Sequence, residues 1–402
     1  SNYVITQLLF TGFLGYTISM NSGGKPRILI FSFAYFPFIG GAEIAVKEIT
    51  DRLGDRFDFD LMAYKFKKGW SDVEKIGNVN VYRVNGANKI FFVFKAWLLA
   101  KKLHNKNSYS VAWSIMAAYA GFSALFFKFS NPKIPFLLSL QEGDSEEHIL
   151  KRVGIFYPIW KLIFKKADYI QAISNFLADF GRRHGARCPI SVIPNGVDLN
   201  KFETRNTKYE TNYKSQNPNI KTIITTSRLV HKNGLDILIR AVAELKSKLP
   251  ITNYQLLIIG DGPERENLKK LAQNLDLSNE VIFLGHIEPD KIPEYLSQAD
   301  IFVRPSRSEG LGNSFLEAMA AGLPVIGTPV GGIPDFIIDR ETGIFCEPDN
   351  PKDLARKIKL LFEDKNLSEK LSSNGRKLVF EKYSWDGIAS KICNIINEIR
   401  SR

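Results

Sequence analysis

RILIFSFAYFPFIGGAEIAVKEITDRL, residues 27–53, opens with an apolar run, breaks at Pro37 and the Gly40-Gly41 pair, and resumes as a helix-like stretch over 42–53. A short apolar run bounded by turn residues reads as a strand, so this segment predicts strand, loop and helix. The alternation continues outward. Residues 57–64, 79–84, 111–115, 136–140, 169–172 and 190–194 read as strands and 96–103 as a helix. Strands alternating with helices predict an α/β fold with a mostly parallel, doubly wound sheet.

A second alternation starts at Lys221. Strand-like stretches at 222–226, 255–259, 281–284, 301–303, 324–326 and 343–345 are separated by helical ones that include 235–248, 264–275, 291–298 and 314–321. Between the two halves, 201–219 turns polar, rich in Asn, Thr and Lys, and reads as the interdomain connection. Two such domains leave a cleft between the carboxyl ends of their sheets, where open α/β sheets bind ligands.

The 402 residues agree with that division, at roughly 150 residues per domain. A hydrophobic share of 45% and a charged share of 24% describe a globular chain and exclude disordered, collagen-like and coiled-coil classes. The net charge of +12 favours anionic partners. No RRM, zinc-finger or basic-zipper signature accompanies it, so no nucleic-acid partner is expected. Cys188, Cys346 and Cys393 are far apart and make neither a disulfide framework nor a C-x-x-C pair, which fits a reducing cytoplasm. Residues 3–20 are uncharged but interspersed with Thr, Gln, Gly and Ser; they make a poor signal or membrane span, and Met20 reads as the natural start.

The segment with most chemistry is SEGLGNSFLEAMAAGLPVIGTPVGGIPD, residues 308–335. A Gly-rich loop leads into a helix starting near Asn313 or Ser314 and stopping at Gly322-Leu323-Pro324. The unpaired N–H groups around Gly312, Asn313 and Ser314, with the helix dipole behind them, suit a diphosphate. Glu317, one turn inside, is placed to accept from a ribose diol, and Glu309 on the loop to face the sugar beyond the phosphates. A second reading stays open: Ser314 with Glu317 matches a capping box, and Glu309 would then be a solvated loop acid.

Glu309-x7-Glu317, followed by EAMAAGLPVIGTPVGGIPD, resembles the signature of the retaining glycosyltransferases of family four, the group 1 glycosyltransferases, which have the GT-B fold. Further segments carry the likeness in the expected order: FPFIGGAE at 36–43, IPNGVD at 193–198, SRLVHKNGLDILIRA at 227–241, IIGDGPERENL at 258–268 and QADIFVRPSRSEG at 298–310. The resemblance implies two Rossmann-like domains facing across a cleft: an acceptor-side domain over 21–203, a nucleotide-sugar-binding domain over 204–382, and a C-terminal helix over 383–402 that crosses back to the first domain. It implies a hexosyltransferase-type enzyme that moves sugar from a UDP- or GDP-sugar to a glycan, glycolipid or small acceptor. Donor contacts would come from Gly40, Gly41, Arg228, Lys232, Ile287, Gly312, Asn313, Ser314 and Glu317, with Glu309 and Gln141 at the reacting sugar.

Fixed cations would stabilise the departing diphosphate in place of a metal, and no Asp-x-Asp pair stands in a suitable loop. No cofactor or metal is therefore expected. The family's lysine five residues after the arginine is Asn233 here, with Lys232 beside it, and the family's histidine after the 136–140 strand is Gln141, which can hydrogen-bond a hydroxyl but cannot shuttle a proton. Bland readings of single features stay open, namely a solvated pair for Arg228 and Lys232 and a tight turn for Gly40-Gly41.

KIFFVFKAWLLAKK at 89–102 and KRVGIFYPIWKLIFKK at 151–166 place aromatic and aliphatic residues among lysines. They fit peripheral docking on an anionic, cytoplasmic membrane face that carries a lipid-linked acceptor, or else core helices with snorkelling lysines. Two other classes remain: a nucleotide-sugar epimerase of the same fold, and a non-catalytic sugar-nucleotide-binding protein.

Overall fold

A computed structural model describes residues 24–86, 88–203, 220–248 and 253–402. The segment 1–19, the start at Met20, the domain boundary at 203/204 and the rest of the polar connection lie outside the described residues.

The first sheet has eight strands: β1 (Arg27–Phe31), β2 (Asp58–Tyr64), β3 (Val73–Ile76), β4 (Val79–Val84), β5 (Val111–Ile115), β6 (Phe136–Leu140), β7 (Tyr169–Ala172) and β8 (Ile190–Val192). Their order is β3-β4-β2-β1-β5-β6-β7-β8, and all neighbours are parallel except β3, which pairs antiparallel with β4. Nearly every residue of β1, β5 and β6 is buried, as continuous apolar strands covered by helices on both faces must be.

The second sheet is wholly parallel. Its strands are β9 (Lys221–Thr226), β10 (Tyr254–Ile259), β11 (Val281–Gly285), β12 (Ile301–Arg304), β13 (Val325–Gly327) and β14 (Ile344–Phe345), in the order β11-β10-β9-β12-β13-β14. Each order reverses once, between β1 and β5 in the first sheet and between β9 and β12 in the second. The loops after β1, β9 and β12 therefore open at topological switch points, where parallel sheets form ligand crevices.

The last helix, Trp385–Ser401, packs on the first sheet and not the second. Trp385, Ile388, Ile392, Ile396 and Ile399 recur at helical spacing and share a core with Ile28, Val111 and Trp113. Ser384 caps the helix by accepting from the Gly387 N–H at 3.3 Å, and Arg52 Nε donates to Asp386 at 2.6 Å.

The helix read over 96–103 runs from Lys89 to Asn107. Its aromatic first turns look strand-like, but Asn88 caps them by accepting from the N–H groups of Ile90 and Phe91 at 3.0 and 3.1 Å. The stretch 151–166 is not one helix. It breaks at Gly154, φ 51°, between helices Glu146–Val153 and Tyr157–Lys166.

Candidate active site

Arg304 ends β12 inside the second domain. A buried arginine must spend its donors, and all three nitrogens do so: Nε on Ser306 Oγ at 3.2 Å, Nη1 on Ser314 Oγ at 2.7 Å and Nη2 on the Glu309 carboxylate. Its guanidinium also lies over the Phe315 ring, 4.9 Å from the centroid. The other oxygen of Glu309 accepts from the Gly310 N–H at 3.0 Å. The loop acid is thus locked as one side of a partly buried ion pair.

The helix Asn313–Ala320 starts directly after Gly312, whose φ of 104° favours glycine, and no side chain caps it. The capping-box alternative for Ser314 and Glu317 is not realised, because Gly312 is the capping residue and the Ser314 hydroxyl is engaged by Arg304. The first-turn amides remain without a side-chain cap, beside a buried cation, which is an electropositive setting for an anion. Glu317 is half-buried one turn on. Burial pushes its carboxyl up to about 7, against the opposing fields of Lys201 and Arg304.

Across the switch point, Arg228 is exposed in the loop after β9. Asn233, in the position of the family's lysine, is buried and donates from Nδ2 to the Arg228 carbonyl at 2.6 Å, tying the turn together. Lys232 is the residue that reaches over the cleft: Nζ donates to the Gly143 carbonyl at 2.8 Å and to Asp144 Oδ1 at 3.1 Å. Ser308 Oγ donates to the same Gly143 carbonyl at 3.2 Å. Burial raises the Asp144 pKa, but Lys232 and then Arg152 outweigh it and hold the carboxyl below its ordinary value.

The first domain supplies the facing wall. Gly41 begins the helix Gly41–Leu53 and stands opposite Asn313; a methyl on it would lie 3.8 Å from the asparagine Nδ2. Gly310 abuts the Glu142 carbonyl so closely that a methyl there would overlap it. Glu142 is buried. Its Oε1 accepts from the Ala117 N–H at 2.6 Å, its Oε2 has no partner among the described residues, and burial raises its pKa.

The structure thus gathers Glu309, Gly312, Asn313, Ser314, Lys232 and Gly41 about one cleft. Gln141 is spoken for in part: it is buried, and its Oε1 accepts from Asn195 Nδ2 at 3.2 Å. Ile287 follows Gly285, φ 72°, at the end of β11, half-buried against apolar neighbours. Two participants escaped the sequence reading. Arg304 is the larger omission, and its signal was there, a charged residue inside the apolar run ADIFVRPS. Asn195, in IPNGVD, is the other.

Two parallel-sheet domains with a cationic crevice between them describe a nucleotide-sugar-dependent glycosyltransferase of the GT-B class. Residues 39–201 match the family described as Glycosyltransferase Family 4, and residues 210–378 match Glycosyl transferases group 1. The chain belongs to this family and is a glycosyltransferase. An uncharacterized glycosyltransferase of Methanocaldococcus jannaschii is 28% identical over 90% of this chain and 95% of its own. The GDP-mannose-dependent alpha-(1-6)-phosphatidylinositol monomannoside mannosyltransferase of Mycobacterium tuberculosis is 29% identical over 57% of this chain and 61% of its own. Sucrose-phosphate synthase from Thermosynechococcus elongatus shares the fold at a TM-score of 0.80, with 22% identity, 94% of this chain and 100% of that one covered. Anabaena HepE, solved with UDP-glucose, does so at 0.77, with 21% identity and 92% and 99% covered.

Proposed function

We propose that this chain is a retaining, metal-independent hexosyltransferase that takes a UDP- or GDP-sugar and passes the sugar to a glycan, glycolipid or small acceptor. The observation that carries the reading is the convergence of Lys232, Arg304 and an uncapped helix N-terminus around Glu309. Charge that develops on a departing nucleoside diphosphate meets donors already in place. In this reading Glu317 accepts from the ribose diol and the amides of Gly312, Asn313 and Ser314 take the diphosphate. Arg228 and Lys232 clamp the diphosphate, Gly40 and Gly41 let the first domain approach it, and Ile287 meets the base through its backbone. Glu309 contacts the transferred sugar, and Gln141 offers its amide to a sugar hydroxyl. The phosphate oxygen left on the donor accepts the acceptor's proton on the front face, so no protein nucleophile is required.

The nucleotide is open between two, since one relative's name specifies GDP-mannose and one structural neighbour holds UDP-glucose. Thermal-shift screening with UDP, GDP, ADP and their sugars discriminates them, because a ligand at a hundred times its Kd adds about 2.7 kcal/mol of stability. Proton NMR of the product reports the anomeric configuration, and activity unchanged by EDTA supports metal independence. Inversion of the anomeric centre, or full transfer by both Glu309→Ala and Glu317→Ala, would overturn the reading.

The protein also docks on the cytoplasmic face of an anionic membrane in this reading. The helix Lys89–Asn107 leaves Ile90, Phe91, Phe94 and Leu98 exposed beside Lys95, Lys101 and Lys102. Among the described residues, no helix is long and apolar enough to cross a membrane. Pelleting with anionic but not neutral liposomes is expected, and unchanged binding after neutralising those lysines refutes it.

A further inference from the structure

The first domain carries an aromatic cluster that the donor reading does not use. Phe33 lies just past the end of β1 and Phe66 just past the end of β2, while Phe38 sits in the loop leading to Gly40 and Gly41. Their rings meet in sequence: Phe33 to Phe66 at 5.6 Å between centroids, Phe66 to Phe38 at 4.4 Å, and Phe38 to Trp70 at 5.8 Å. Tyr119 closes the other side, 5.1 Å from Phe33, and the Lys89 ammonium stands over both rings at 5.9 and 5.7 Å.

Several features mark this as more than a corner of the core. Phe38 is 43% exposed and Phe66 38%, so the floor is open to water. It borders the cleft at two points, through Phe38 toward Gly40 and Gly41, and through Tyr119 toward Ala117, which Glu142 binds. Its rim is basic, with exposed Lys67, Lys68 and Lys89. It also continues into the exposed Ile90, Phe91 and Phe94 at the start of the helix that follows.

The ring geometry argues against a sugar as the occupant. A pyranose stacks on an open aromatic face with polar groups at its edge. Here Phe33 is stacked on Tyr64 with planes 15° apart, and Phe66 meets Phe33 and Tyr64 near-perpendicularly, at 79° and 87°. Such packing makes an irregular apolar floor, suited to a flexible hydrocarbon chain, ringed by cations suited to a phosphate.

We infer that this floor binds the lipid end of the acceptor, an apolar chain joined to its sugar through a phosphate, and thereby delivers the sugar end to the cleft. The inference rests on the acceptor-side placement of the first domain in the proposed function. Dodecyl phosphate below its micelle concentration is the probe, with dodecanol and inorganic phosphate as the separated halves, and Trp70 fluorescence is the readout, with Trp70→Phe as its control. Dodecyl phosphate is expected to blue-shift Trp70 emission and to bind on the order of tenfold more tightly than dodecanol. Phe38→Ser with Phe66→Ser is expected to weaken it on the order of tenfold, and neutralising Lys67, Lys68 and Lys89 to remove its advantage over dodecanol. Stabilisation by UDP or GDP stays unchanged throughout. A parent protein that binds a nucleoside diphosphate but not dodecyl phosphate, or dodecyl phosphate binding indifferent to both sets of substitutions, overturns the inference and leaves the donor reading standing. Loss of nucleotide binding by the parent overturns the donor reading instead.

Discussion

Arg304 and Glu309 form a partly buried ion pair in which one guanidinium holds the loop acid and, at 2.7 Å, the hydroxyl of Ser314 on the first turn of the following helix. The acid and the helix start are therefore positioned by a residue that precedes both.

Replacing Arg304 with lysine keeps the charge and loses the planar fork that serves three acceptors. Steady-state kinetics should show kcat falling on the order of a hundredfold, the scale of a roughly 1 Å misplacement of the groups that Arg304 holds. Arg304→Met strands Glu309 without its partner, and urea denaturation should register a loss of about 3 kcal/mol. Wild-type kcat in Arg304→Lys would remove the positioning role.

The Glu317 carboxyl, raised to about 7, should shift from mainly protonated to mainly ionised in the empty site as pH rises through 7. Only the ionised form accepts from both hydroxyls of a ribose diol. Nucleotide affinity should fall as pH drops through 7, approaching about tenfold per unit, and Glu317→Gln should remove that component, which separates it from titration of the diphosphate itself. The same shift acts oppositely on folding. The native state binds this proton more tightly than the unfolded chain, so the group favours folding at low pH and that contribution is lost as pH rises through 7.

Asp144 competes with a donor phosphate for Lys232. Asp144→Asn should release the lysine and tighten UDP or GDP binding about threefold, a modest effect because both side chains are about one-third exposed and screened. Calorimetric titration should show this gain shrinking at high salt. Weaker binding in the variant would instead make Asp144 a direct contributor to the donor site.

Gly310→Ala places a methyl in overlap with the Glu142 backbone carbonyl oxygen, a clash that no side-chain rotation relieves. The two walls of the cleft should part by a fraction of an ångström or more. Transfer should drop at least about tenfold while nucleotide affinity, carried by the second domain, changes little. Small-angle scattering and kinetics together check it, and full activity with an unchanged profile would refute it.

The architecture was legible in the sequence because most strands are short apolar runs with a Gly or Pro in the loop that follows, as at 27–33 with Pro37. The glutamate spacing was legible because Glu309 and Glu317 flank a glycine-rich helix start. Contacts made by folding were not. Lys232 meets Asp144 across 88 residues, and Gln141, read as a sugar contact, turns its oxygen to Asn195, 54 residues on. Arg304 was hidden differently, since an arginine in a strand declares no partner until the loop after it folds back. The edge strand β3 was missed because VEKI lacks an apolar run.

The helix Trp385–Ser401 has a consequence for the order of events on the ribosome. The strands bearing Ile28, Val111 and Trp113 are translated early, but the layer that covers them is translated after the whole second domain. The nascent first domain waits with an apolar flank uncovered, so its final consolidation comes after its neighbour has been made. Holdase chaperones would find their target on that flank during synthesis.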